Sequence, residues 1–530
     1  MLHRYGTPGA DRVWCESLNR PDLARLPSTP RSISTVQTSS RSRSSTKRLR
    51  HSLTCPLSHQ VIIGDLPDKV LFDIFCFFLQ VSPRNWPTLV HICRNWRRLV
   101  FSYPRSLNLR LFCTHGTPVR KTLDCWPRAL PIVVAYGGSS GLDPPTLEDE
   151  DDVMAALKRP DRVYSISLTI TSSLLEKLSA IKRPFWKLEN LILMSRDEVQ
   201  LTLPNAFRWG QRLRRLHSTR IVIPALVQLR YLSIDLIDLQ LHEVPNPWHF
   251  SLNALPDTLS RLAQLRSLSL HFLPTSDHVA VSLPSWDRVV LPALTCLKYR
   301  GITKDLEDLV ARIDAPRLED IEITLSYESI TNLSKLIGFI DRIEMHNSHR
   351  RADILSSENA TSISLITPGA PTRLKFQLFG EPLYLRLPVI FQIVFFLSVF
   401  LLDVEDLRIN VMQQSRQKDG SHIGRWLTLL NLFRGVKWLH ILGNLSTDIV
   451  HSLRLRYKAV LPVLQGLYIP QPGPRHTPLR EALVSFMTSR RLSGHPIAVE
   501  YEQLSHMSEL SRAGTKCAQC HRHCSLTYFQ

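Results

Sequence analysis

Two stretches of this 530-residue chain hold residue types that could do chemistry. The first is Cys517-Ala518-Gln519-Cys520-His521-Arg522-His523-Cys524. Cys-x-x-Cys brings two thiolates within reach of one zinc ion, and His521, His523 and Cys524 could complete a tetrahedron. No second well-spaced pair exists, whereas compact structural sites spread their ligands over two segments. The expectation is a reduced tail with no metal and no cofactor. The second is Gly137-x-Ser139-x-Gly141, which comes after a strand candidate at Leu130 to Tyr136 and literally matches the nucleophile elbow of serine hydrolases. That elbow needs a helix directly after the turn, to hold the serine above the sheet. Here Leu142-Asp143-Pro144-Pro145 intervenes, and then the acidic run Glu148 to Asp152, expected to cap a helix over Val153 to Leu157. There is no Gly-x-x-x-x-Gly-Lys, no Gly-x-Gly-x-x-Gly after a strand, no His-Glu-x-x-His and no kinase motif set. The expectation is a protein that is not an enzyme, with no catalytic residue. A hydrolase built on Ser139 is the distant alternative.

The rest of the chain must supply the elements that position any such residue. Lys plus Arg number 65 against 46 for Asp plus Glu, a net charge of +19. Such a balance can signal nucleic acid, an acidic partner or an anionic membrane surface. Part of the excess sits in residues 1–60, where the run Ser39 to Arg50 lacks periodicity and cannot bury a core. The expectation is a solvated tail, with a nuclear localisation signal or a weak nucleic-acid patch as the alternatives. No aromatic residues interleave there, which argues against single-strand stacking, and nucleic acid is not the expected partner. The ten cysteines form no dense framework, and no apolar N-terminal h-region is present. A reducing setting, cytoplasmic or nuclear, is expected. The most apolar run, Val389 to Leu402, is shorter than the ~20 residues of a membrane span and is expected as a buried core helix.

One stretch, Ile63 to Leu111, has a pattern of its own. Leu66, Val70 and Ile74 recur at i, i+4, i+8, with Leu71, Phe75 and Phe78 alongside, as on one broad apolar face of a helix. Pro67 suits that helix's first turn. Leu89, Cys93, Trp96 and Val100 predict a second helix, with His91, Arg94, Asn95, Arg97 and Arg98 on its polar side. Leu66-Pro67-Asp68, Val70-Leu71, Ile74-Phe75, Leu89-Val90, Cys93 and Trp96-Arg97 resemble the F-box, a short trihelical module. The stretch from Leu109 to Val134 is similar to the sequence directly after the F-box in many fungal proteins. The segment Gln80 to Trp86 departs from the pattern, since it has no Asp-Leu start to a second helix. The resemblance implies docking on a Skp-type adaptor and, through it, on a cullin-RING ubiquitin ligase. It implies an adaptor-facing surface and small core made of Leu66, Pro67, Val70, Leu71, Ile74, Phe75, Leu89, Val90, Cys93 and Trp96. The other reading of the same hairpin is a cap over the end of the next domain.

From Val163 onward a short phrase recurs: apolar, two residues, apolar, one residue, apolar. It occurs at Val163/Ile166/Leu168, Leu188/Leu191/Leu193, Leu229/Leu232/Ile234, Leu265/Leu268/Leu270, Leu318/Ile321/Ile323, Val404/Leu407/Ile409, Val436/Leu439/Ile441 and Leu464/Leu467/Ile469. Partial copies stand at Leu213/Leu216 and Leu294/Leu297, and the span Leu325 to Val404 is not legible. The spacing approaches that of leucine-rich repeats. Each x-Leu-x-Leu predicts a short strand with one face inward. Helical stretches at Leu255–Leu262, Leu306–Ile313, Leu333–Ile340 and Leu427–Phe433 would cover the convex side. An ordinary α/β domain with Leu-rich strands is the alternative.

The expected fold class is α+β, a small all-α trihelical module and then an irregular leucine-rich-repeat α/β solenoid. The expected divisions are a disordered basic tail over 1–60, the helical module over 61–112, a linker with one strand and an acidic loop over 113–152, the repeat domain over 153–500 and a tail over 501–530. The function expected from the resemblance is substrate recognition for a ubiquitin ligase, with the repeat domain holding a target protein. No membrane partner is expected. The alternative is a leucine-rich scaffold whose hairpin is only an N-terminal cap.

Overall fold

The computed structural model describes residue 63 and residues 66–502, apart from 137–146, 196–200, 203–206, 208–211, 223–235, 245–258, 273–287, 327–332, 344–348, 358–359, 370–372, 380–382, 412–421, 444–445, 457–458 and 471–476. The basic tail, the segment containing Ser139 and the cysteine-rich C-terminal stretch lie outside the described residues. The chain divides into two compact units, Met1–Phe112 and Cys113–Gln530.

The first unit is helical. Helix α1 spans Asp68–Val81, α2 spans Trp86–Ile92 and α3 spans Arg94–Ser102. Pro67 stands one residue ahead of α1, at its N-cap, rather than inside the first turn. Leu71, Phe75, Leu79, Trp86, Leu89, Val90, Leu99 and Val100 are buried. Phe75 meets Trp96 edge-on with ring centroids 4.7 Å apart, a favoured aromatic geometry. The Trp86 indole N–H donates to the Arg110 carbonyl at 2.7 Å. The single helix predicted over Leu89 to Val100 is two helices. Cys93 is extended, with φ −155° and ψ 171°, and its sulfur accepts from the Trp96 N–H. A helix that stops here leaves carbonyls without intrahelical donors. Arg97 supplies one, its Nε donating to the Val90 carbonyl at 2.9 Å.

The second unit carries a sixteen-stranded sheet whose first strand straddles the division between the units in sequence. The strands are β1 (Leu111–Thr114), β2 (Ile132–Tyr136), β3 (Val163–Ile170), β4 (Asn190–Ser195), β5 (Arg215–Thr219), β6 (Asp238–Val244), β7 (Ser267–Phe272) and β8 (Cys296–Gly301). They continue with β9 (Asp320–Ser326), β10 (Arg351–Ser356), β11 (Ala360–Ile366), β12 (Arg373–Phe379), β13 (Asp406–Val411), β14 (Trp438–Gly443), β15 (Gly466–Pro470) and β16 (Ala498–Glu502). Neighbours keep chain order except for one inversion, β9-β12-β11-β10-β13. The pairings from β2 onward are parallel except those of β11, which runs antiparallel to both β10 and β12. The sheet begins well ahead of residue 153, since β1 and β2 belong to it.

Register explains the repeated phrase. Ile166, Leu191, Leu216, Leu239, Leu268, Leu297, Ile321 and Leu374 stand side by side across eight strands, and all are buried. Below each strand the backbone ladder continues by one bond, as in Arg214 N–H to Glu189, Ile237 N–H to Arg214 and Arg266 N–H to Ile237. Parallel sheets in doubly covered α/β domains are apolar on both faces. This one alternates, as in the BiBiB burial of β2 and the iBiBiB burial of β13. One face packs on the core and the other is polar, as a stack of single-layer repeats requires. The architecture is mixed α/β with a large parallel sheet, consistent with a leucine-rich-repeat-like fold.

Several expectations need correction. Leu229/Leu232/Ile234 lies outside the described residues. The ladder passes from β5 to β6, where Leu236, Leu239 and Leu241 carry the phrase. The helix expected over Val153 to Leu157 is Leu147–Leu157, so the acidic run lies inside its first turns. The expected helices near Leu306 and Leu333 are Thr303–Val310 and Ser334–Arg342, and the one near Leu427 is His422–Leu430. Leu255–Leu262 lies mostly outside the described residues. The apolar run after Val389 is helical to Phe396 and only half interior. Val389, Ile390, Ile393, Val394, Leu397 and Leu401 are buried, while Phe395, Val399 and Leu402 face outward. No helix among the described residues is long and apolar enough to cross a membrane.

Candidate binding surfaces

Helix α1 is apolar on two sides and uses only one for packing. Leu71, Phe75 and Leu79 point inward. Val70 (41% exposed), Ile74 (44%), Phe77 (70%) and Val81 (66%) stand at i, i+4, i+7 and i+11 on the other side. Such spacing puts them in one stripe. Of the ten residues expected to form a surface with its core, Leu71, Phe75, Leu89 and Val90 are buried. Val70, Ile74, Pro67 and Cys93 are exposed, and Leu66 and Trp96 are half-buried. Ile92, at the end of α2, adds another exposed apolar side chain. Phe77 and Val81 were not among the expected residues. Their signal was the continuation of Val70 and Ile74 at helical spacing, hidden because Leu71, Phe75 and Phe78 interleave with it. An ion pair between Arg98 and Asp68, 3.0 Å apart, ties α3 to the start of α1. Both partners are at least half exposed, so the pair contributes little.

The outward face of the sheet is the second surface, and it is chemically zoned. On β5 to β7, His217 and His242 have ring centroids 5.0 Å apart, and His242 and His271 6.0 Å apart. Burial first, then the neighbouring His242, lowers the pKa of His217 to about 4. Burial, then Arg300 and His242, lowers that of His271 to about 3. His217 and His271 are therefore neutral at neutral pH, each with one ring nitrogen to donate and one to accept. On β8, β9 and β12 comes an ionic zone, with Glu322 lying 2.7 Å from Lys375 and 3.6 Å from Lys298. Burial alone would raise the Glu322 carboxyl, but the bond to Lys375 and the surrounding lysines outweigh it and hold it below its usual value. On β13 to β16 the face turns aromatic, with Trp438, His440 and Tyr468.

Polar groups also enter the interior near the start of the sheet. Glu150 is buried and accepts from Lys177 Nζ at 2.7 Å, Thr171 Oγ1 at 3.1 Å and Ser173 Oγ at 3.3 Å. Burial pushes its carboxyl up, but these partners outweigh burial and the net shift is downward. Asp149 accepts from His115 Nδ1 at 2.9 Å in the same helix turn. These bonds satisfy buried carboxylates and fasten helix Leu147–Leu157 to helix Ser172–Ser179. Among the described residues, no group of three or more His, Cys, Asp or Glu is arranged to hold a metal ion.

No protein-family model and no curated protein matches the chain. Among solved structures, it is similar to the leucine-rich repeat-containing protein LegL7 from Legionella pneumophila, with 12% identity over 71% of this chain and 97% of that one and a TM-score of 0.25. A Bacteroides fragilis protein is 9% identical over 67% of this chain and 72% of its own, with a TM-score of 0.15. The repeat-like character of the fold rests on strand register and alternating burial, independently of these likenesses.

Proposed function

We propose that the chain is a substrate-recognition subunit of a Skp–cullin–F-box type ubiquitin ligase. The observation that carries the reading is the unpacked apolar stripe Val70, Ile74, Phe77 and Val81 on α1. A docking module has to present such an apolar stripe to its partner. The F-box-like residue pattern and the three short helices support the same reading. The outward face of the sheet then holds the target protein. The protein's contribution is proximity and orientation, and it forms no bond itself. It needs no cofactor, and it works in the cytoplasm or the nucleus.

The test is co-expression of the full chain with a Skp-type adaptor and then pull-down. Wild type is compared with an Ile74→Asp/Phe77→Asp variant. Both changed side chains are exposed, so the variant keeps the module folded, as amide exchange over residues 68–102 would report. Capture by wild type and loss in the variant is the expected result. A folded wild type that captures no adaptor refutes the ligase reading and leaves a leucine-rich interaction protein with no link to ubiquitin.

A further inference from the structure

The aromatic end of the sheet face is a built site. Register sets Trp438, Gly466 and Ala498 in one row, and His440, Tyr468 and Glu500 in the next. Trp438 remains 37% exposed on a face whose other outward residues are mostly polar. Its indole lies across Gly466: a Cβ there would collide with the ring's Cε3 and Cζ3. Glycine is thus the residue that lets the indole lie flat on the sheet. The Tyr468 ring lies tilted beside it, with 6.0 Å between centroids. His440 stacks on Tyr468 at 4.2 Å with planes 3° apart, and His440 Nε2 lies 3.3 Å from Asp406 Oδ1. Glu500 stands beside Tyr468 on β16. Each ring is fixed by a neighbour, so little freedom is left to lose on binding.

Charge indicates what the platform takes. Aromatic faces are negative, and they attract Lys and Arg side chains, Trp most strongly. Asp406 is paired with Arg408, while burial disfavours a proton on His440, so that ring adds no charge. Glu500 is exposed, and no ion pair among the described residues includes it. Ala498, beside the indole-covered Gly466 in the same row, is small and exposed and lies on the strand that carries Glu500. We propose that this end of the sheet face binds a basic peptide segment of the target, with one Lys or Arg side chain over Trp438 and against Glu500. The proposal rests on the reading of the sheet face as the target-holding surface.

The probe is a fluorescein-labelled peptide of alternating glycine and lysine, with a glycine/glutamate peptide as control. Binding to the full chain is read by anisotropy, without adaptor. The chain's net charge of +19 repels the lysine probe overall, so binding must come from a local site. The lysine peptide should bind, with Trp438→Ala weakening it about tenfold and Trp438→Phe, which keeps a ring, by no more than about threefold. Glu500→Gln, an exposed change, should weaken it and flatten its salt dependence. Thermal unfolding checks that each variant is folded. A wild-type chain that ignores the lysine peptide overturns the proposal, and so does a folded Trp438→Ala that binds it unchanged. Trp438-dependent binding of the glutamate peptide instead assigns the platform to anions and also overturns it. Adaptor capture is scored separately: if it fails while lysine-peptide binding holds, only the ligase reading falls, and the reverse result removes only this site.

Discussion

Two phenylalanines two positions apart on one helix should behave as opposites. Phe75 is fully buried and packs on Trp96, while Phe77 is 70% exposed. Phe75→Ala removes a core ring and costs ~3–5 kcal/mol of module stability. Phe77→Ala removes nothing from the interior and should change stability by no more than about 0.5 kcal/mol. For adaptor binding Phe77 counts. An exposed ring offers ~150 Å², which at ~25 cal/mol per Å² is about 4 kcal/mol if wholly covered. Side-chain ordering and imperfect coverage take roughly half. The remaining ~2 kcal/mol corresponds to about a thirtyfold weaker Kd. Amide exchange over residues 68–102 reads module stability, and calorimetric titration with a purified Skp-type adaptor reads affinity. Phe75→Ala should lose protection and binding together, and Phe77→Ala should lose binding alone. The assignment of the two faces of α1 is refuted if Phe77→Ala loses protection as Phe75→Ala does. The docking role is refuted if Phe77→Ala binds within twofold of wild type.

The second unit yields three further expected outcomes. His217 and His271 hold their protons less tightly folded than unfolded, where the usual value is 6.5. The unfolded chain therefore binds more protons from about pH 6.5 down to about 4 for His217 and about 3 for His271, and stability falls as pH drops through that window. Urea unfolding at pH 7.5 and pH 5 should differ by about 1 kcal/mol per ring after allowance for partial exposure, and by less in a His217→Asn/His271→Asn variant. Glu150→Ala removes the acceptor for Lys177, Thr171 and Ser173 and should cost ~2 kcal/mol in the same assay at pH 7. Because the folded Glu150 carboxyl is depressed, its contribution is present above the unfolded value of 4.5 and disappears as pH falls through the lower folded one. Gly443 has φ +85°, and a Cβ there would collide with the Val411 carbonyl. Gly443→Ala should therefore cost ~1–3 kcal/mol and lower the melting temperature.

The repeat strands were legible because an inward Leu-x-Leu has to recur wherever a strand is stacked, and Leu191, Leu268, Leu439 and Leu467 all obey it. At Leu229 the phrase lies outside the described residues, and Leu236/Leu239/Leu241 fits the same spacing a few residues later, so spacing alone does not choose between them. The stretch after Leu325 stayed opaque for a topological reason. Its strands enter the sheet in reverse order with one antiparallel member, and a linear reading of periods assumes chain order. In the helical module the apolar positions were visible, but which side faced inward was not. A sequence with apolar residues on two sides of one helix leaves that choice to its neighbours. The break at Cys93 depends on the Arg97 side chain reaching back to Val90, a contact that periodicity does not encode. The aromatic platform on the sheet was missed because its residues come from three strands, and one of them is a glycine.

The inverted segment also bears on how the molecule comes apart. In a stack of parallel repeats each strand leans only on its neighbours, so loosening at one end can propagate along the array. The pair β10–β11 differs, since it closes locally across Ser356 and Ala360, with Ser356 Oγ and Thr361 Oγ1 2.8 Å apart and buried. A hairpin forms faster than a long crossover, because its loop-closure cost is small. It can serve as a second nucleus midway along the sheet, on which β12 assembles from one side and β13 from the other. Fraying that starts at β16 would then meet a barrier at β10. Hydrogen exchange should divide the sheet into two cooperative blocks at that point instead of showing one continuous gradient.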